Sequence, residues 1–152
     1  MNLFLEDHFF RLHFQGYFSV LKIQEYLDIP FKDKGRDFDG CDCWGLIRLI
    51  YNHEYNIQIP SFNEDYSSTI EREILAKISD REKHNWILVK YRFKEGDVLL
   101  LRVLGLPIHV GLIIEPYNMI HIMKGINSCI ERFNSTIWRK RILGIYRHVE
   151  RY

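Results

Sequence analysis

The apolar residues of this chain change their period once, and that change limits the folds open to it. In CWGLIRLIYNHEY, starting at Cys43, Leu46, Leu49 and Ile50 fall on one face at i, i+3, i+4 spacing, with Trp44 and Ile47 beside them. Val20–Leu27 shows the same spacing and is closed by Pro30, and Thr69–Ile78 reads as an exposed amphipathic helix. From Trp86 onward the apolar runs are short: ILVKYRF, DVLLLRVL, HVGLIIE, MIHIM and ILGIYRHV. Turn signals at Glu95-Gly96 and Pro116-Tyr117-Asn118 separate them. Helices first and strands later predict an α+β fold. With 152 residues, 47% of them hydrophobic, the chain can bury one core and hardly two.

The balance of charge excludes some partners. Twenty-one basic and 20 acidic side chains leave a formal charge of +1, which gives no electrostatic reason to bind nucleic acid. No window approaches the roughly 18 to 20 apolar residues of a spanning helix, so no membrane insertion is expected. Residues 1–19 carry Phe4, Phe9, Phe10, Phe14, Tyr17 and Phe18. They lack the basic leader and cleavage site of a signal peptide. They are expected to form an arm against a neighbouring subunit or to complete the domain's own core. Residues 20–152 are then the domain proper, soluble and made in a cytoplasm. Three cysteines, an odd number, fit a reducing compartment with at least one free thiol.

The candidate chemistry centres on Cys43. The loop FKDKGRDFDGCD ends at Asp42, the expected N-cap of the helix, which puts Cys43 at the helix start. There the unpaired N–H groups and the helix dipole favour a thiolate. A cysteine nucleophile also requires a histidine base and a polar group to orient it. His109 opens one predicted strand and His121 lies in the next, so a hairpin can hold both imidazoles on one sheet face beside the Cys43 helix. His8, His13, His53, His84 and His148 have no such context.

These residues carry a resemblance. PFKDKGRDFDGCDCWGLIRLIY resembles the nucleophile segment of NlpC-type papain-like cysteine peptidases, EGDVLLLR their Gly-Asp strand, HVGLIIE their His-Val-Gly strand, and MIHIM the strand of their third catalytic residue. The four segments fall in family order over about residues 20 to 148. The resemblance implies a nucleophile helix packed on a small antiparallel sheet and a Cys–His–His triad of Cys43, His109 and His121. It implies an oxyanion site at the Cys43 and Asp42 N–H groups, and no cofactor. The implied substrate is a peptidoglycan stem peptide, cut commonly between D-Glu and a diamino acid. Phe31 stands where the family has a substrate-side tyrosine, and Arg36, Lys34 and Trp44 are further candidates for substrate contact. Trp44 after the nucleophile, within GRDFDGCDCWGL, and the ending ILGIYRH are similar to tail-tip peptidases of long-tailed phages. That branch implies a virion tail tip and other tail-tip proteins as partners.

Three other readings compete. One is a structural tail-tip or assembly protein that keeps the peptidase fold with weak or no catalysis. Another is a metal site, but Cys41 and Cys43 lack a second pair at zinc spacing. Asp37, Asp39 and Asp42 lack the closing glutamate of a calcium loop, whose twelfth position holds Arg48. The third is acyl transfer through the same thioester.

Overall fold

A computed structural model of the chain describes residues 21–61 and 84–152. The expected aromatic arm and the expected helix Thr69–Ile78 lie outside the described residues. Within them the architecture is α+β, as the change of period predicts. A helix, α1 (Cys43–Glu54), packs on a six-stranded antiparallel sheet. The strands are β3 (Trp86–Leu88), β4 (Val98–Val103), β5 (Leu106–Glu115), β6 (Asn118–Met123), β7 (Ile126–Arg132) and β8 (Ile142–His148). Their order is β3-β8-β4-β5-β6-β7, so the last strand is inserted between the first two. A small hairpin, β1 (Arg36–Asp37) with β2 (Gly40–Cys41), leads into the helix.

Both faces of the sheet are covered, which explains why β4 and β5 read as continuous apolar runs rather than alternating ones. On one face Leu46, Ile47 and Ile50 of α1 pack with Val110, Leu112, Ile120 and Ile122. On the other, Leu99, Leu101, Ile113 and Met119 pack with Phe133 and Trp138 from the β7–β8 region. A buried ion pair, Arg147 Nε to Asp97 Oδ1 at 2.7 Å and Nη2 to Oδ2 at 2.8 Å, ties β8 to the start of β4.

Three elements differ from expectation. Val20–Leu27 yields only a single 3-10 turn, Ile23–Tyr26. The backbone N–H groups of Asp28 and Ile29 go to Ser128 instead of continuing a helix, and Asp28 adopts φ 60°. The run ILVKYRF contributes only Leu88 and Ile87 to β3, because the chain turns at Arg92 (φ 55°). Strand β7, INSCIER, was not expected at all.

Two chains of hydrogen bonds locate the ends of α1 on the sheet. At its C-terminal half Tyr51 Oη donates to Gly96 O at 2.6 Å, and Gly96 N–H donates to Ile113 O, so this end lies by the Ile113 end of β5. Ahead of its start, Cys41 N–H donates to Pro30 O, and next to it Ile29 O accepts Ser128 N–H of β7 while Asp28 N–H donates to Ser128 O. Ser128 Oγ closes the joint by donating to Tyr26 O and accepting from Ile29 N–H. The next residue, Cys129, pairs with His121. The helix start is thereby tied to the part of the sheet that carries His121.

Candidate active site

Cys43 is the first residue of α1, and Asp42 is its N-cap, as expected. The Asp42 carboxylate is buried and does three things. Oδ1 accepts the Gly45 N–H at 2.7 Å and the Arg36 guanidinium at 2.7 Å, and Oδ2 accepts the Lys34 N–H at 3.1 Å. One side chain thus satisfies an orphan donor of the first turn and fixes the loop in front of it. Gly45 is required here, since a Cβ at that position would sit 2.2 Å from Gly35 O.

The other expected residues of this segment are part of the framework. Arg36 also donates to Gly35 O and Ser61 O. Trp44 is buried, with its Nε1–H on Pro60 O at 2.8 Å. Phe31 is half-buried and bridges Cys41. Cys41, the rival thiol two residues before Cys43, is fully buried, and burial with the Asp42 charge pushes it up to about 12.

The structure brings the two histidines together. His109 Nε2 lies 3.0 Å from His121 Nδ1, and both rings are buried. They share a face with Leu101, which pairs with His109, and with Gly111 and Met119. A Cβ on Gly111 would meet Met119 Sδ at 2.8 Å, so the glycine leaves room for the Met119 side chain beside His121. By the two-residue period of a strand, this face is the one turned away from the body of α1. The expected hairpin is therefore present and α1 packs on it, with the two imidazoles on the sheet face opposite the helix body.

Two further residues complete the cluster. Glu131 Oε2 lies 2.9 Å from His121 Nε2 and accepts the Trp138 Nε1–H at 2.5 Å. The Trp138 ring packs on both imidazoles, with centroids 5.7 Å from His109 and 5.2 Å from His121. Cys129 Sγ is 3.8 Å from His121 Nε2, and its thiol is pushed up mainly by burial. Burial, with the neighbouring His121, pushes His109 down to about 3. His121 is also lowered by burial, against the opposing pull of Glu131. Both rings are consequently neutral at pH 7. Glu131 and Trp138 escaped the sequence reading with β7. Lys124-Gly125 directly after MIHIM was the available signal, a tight turn calling for another strand.

Among the described residues, no three His, Cys, Asp or Glu side chains form a group that could hold a metal ion. No helix among them is long and apolar enough to cross a membrane.

Comparison with known proteins bears on the fold. The chain is similar to murein DD-endopeptidase MepS/murein LD-carboxypeptidase of Escherichia coli K12. The two are 22% identical over 122 residues, which cover 78% of this chain and 57% of that protein. The chain thus spans little more than half the length of the curated relatives it matches. Among solved structures, an NlpC/P60 family protein from Bacillus cereus superposes with a TM-score of 0.59 at 22% identity, covering 82% of this chain and 37% of that one. The NlpC/p60 domain of the peptidoglycan hydrolase SagA gives 0.57 at 16% identity, covering 94% and 99%. NlpC1 from Trichomonas vaginalis gives 0.53 at 20% identity, covering 83% and 41%. These likenesses establish the fold. The model of the NlpC/P60 family matches residues 28–147, most of the chain, and the protein belongs to that family.

Proposed function

We propose that this protein is a cysteine peptidase that hydrolyses an amide bond in peptidoglycan stem peptides, with Cys43 as nucleophile, His109 as general base and His121 as the residue that orients it. The single observation that carries the reading is the buried His109–His121 hydrogen bond at the level of the sheet to which the Cys43 helix start is tied. The names of two relatives, a murein endopeptidase and a peptidoglycan hydrolase, supply the substrate class.

In this mechanism the Cys43 thiol is paired with His109. Its proton passes to His109 as sulfur bonds to the amide carbonyl carbon. The C–N bond breaks, His109 gives the proton to the leaving amine, and a thioester remains on Cys43. Water, deprotonated by His109, attacks the thioester and frees the acid and the thiol. The Cys43 N–H at the helix start and the Asp42 N–H are assigned to the oxyanion. Phe31, Arg36 and Trp44 shape the substrate side, the last two by holding the 35–42 loop and residues 60–61 against the helix start.

The finer assignment is to a phage tail tip, with other tail-tip proteins as partners and synthesis in the host cytoplasm. It rests on Trp44 after the nucleophile and on the ILGIYRH ending. Peptides of this chain in purified virions are its expected signature. For the chemistry, mass spectrometry of muropeptides from treated sacculi is expected to show new stem-peptide ends, absent with His109→Ala. Unchanged muropeptides with the wild type contradict the proposal.

A further inference from the structure

We infer that Glu131 is a positioning residue that sets the tautomers of both site histidines, of His121 by direct contact and of His109 through His121. An ionised carboxylate only accepts hydrogen bonds. Its Oε2 lies 2.9 Å from His121 Nε2, so that nitrogen must carry the ring proton. Neutral His121 then presents a bare Nδ1, which lies 3.0 Å from His109 Nε2. That second nitrogen must therefore be protonated in turn. The only nitrogen left to receive a proton in neutral His109 is Nδ1. The order of donors and acceptors runs one way along the row, and Glu131 is its fixed end.

The carboxylate is itself held. Trp138 Nε1–H donates to the same Oε2 at 2.5 Å, and the Trp138 ring walls in both imidazoles. Among the described residues, the charged or titratable groups facing His121 are His109 from β5 and Glu131 and Cys129 from β7. Cys129, a neutral thiol 3.8 Å away, is a weak donor and acceptor and imposes no direction. Without Glu131, His121 is free to carry its proton on Nδ1 and donate to His109 Nε2. The proton of His109 then moves to Nδ1, and that ring is no longer a base where a base is needed.

The tautomers are read directly on 15N-labelled full-length protein, in long-range proton–nitrogen spectra that separate protonated from bare ring nitrogens. Wild type is expected to show both histidines protonated at Nε2. Glu131→Ala should show a mixture at His121, and Glu131→Gln should keep the wild-type pattern, because an amide oxygen still accepts from both His121 and Trp138. A wild-type His121 protonated at Nδ1, or an unchanged pattern in Glu131→Ala, overturns the inference.

The kinetic consequence rests on the proposed role of His109 as base. Glu131→Ala is expected to lower kcat about tenfold with KM unchanged, while Glu131→Gln stays within about threefold of wild type. In a His121→Ala background, Glu131→Ala should cost nothing more. Equal losses in the two Glu131 variants, or a loss that persists without His121, mark a purely structural role and overturn the inference. A wild type inactive on muropeptides would count against the hydrolase reading alone, and the spectra would still decide the role of Glu131.

Discussion

The carboxylate of Asp42 joins three parts of the chain at the residue before Cys43: the first turn of α1, the Lys34 backbone and the Arg36 guanidinium. Capping alone contributes about 1 kcal/mol, and a buried guanidinium left without its counter-charge costs more. Asp42→Ala is therefore expected to lower stability by about 2–4 kcal/mol in urea unfolding. Asp42→Asn should lose less, because its amide oxygen still accepts from Gly45 N–H. Equal losses would mean that the cap geometry contributes nothing. The cap, the helix start and the histidine pair were all legible as residues in the sequence. Glu131 was not, because nothing in a lone acidic residue shows that it will point at an imidazole on the neighbouring strand, whose direct partner is Cys129.

Among the elements, the β5–β6 hairpin holds two imidazoles that burial keeps neutral. The free His value of 6.5 falls to about 3 for His109, and His121 moves in the same direction. Below pH 6.5 the unfolded chain takes up protons that the folded hairpin refuses. The stabilisation is thus complete above about pH 6.5 and is lost as pH falls toward the folded value. The slope is at most about 1.4 kcal/mol per pH unit for each histidine. Urea midpoints are expected to fall from pH 7 to pH 5 in the wild type and to change less in a His109→Gln/His121→Gln double variant. The same slope in both would contradict the buried, neutral pair.

Strong apolar runs made β4, β5, β6 and β8 readable, as did the amphipathic spacing of α1. The elements that failed were decided by tertiary contacts. Ser128 takes the backbone donors that Val20–Leu27 needed to extend its turn into a helix. In β7, Ser128 and Glu131 occupy sites that a simple strand pattern reserves for apolar residues. One locks the loop that leads to the helix, and the other contacts His121, so joints and site chemistry erased the alternation.

At the scale of the whole molecule, a sheet covered on both faces carries a helix start and a histidine pair whose members lie 66 and 78 positions beyond Cys43 in the chain. The helix start comes from the first third and the histidines from the last. The Asp97–Arg147 pair fastens β4 to β8, and the Ser128 joint fastens the loop before α1 to β7. The fold class followed from hydrophobic period alone. The meeting of the helix start with the histidine strands did not, since it depends on strand order and on the Ser128 joint. The most direct measurement is the initial rate of stem-peptide cleavage by Cys41→Ser, Cys43→Ser and Cys129→Ser beside the wild type. Cys43→Ser is expected to fall to background while the other two keep most of the wild-type rate. Cleavage that survives in Cys43→Ser, or vanishes instead in Cys41→Ser or Cys129→Ser, would contradict the assignment of Cys43 as nucleophile.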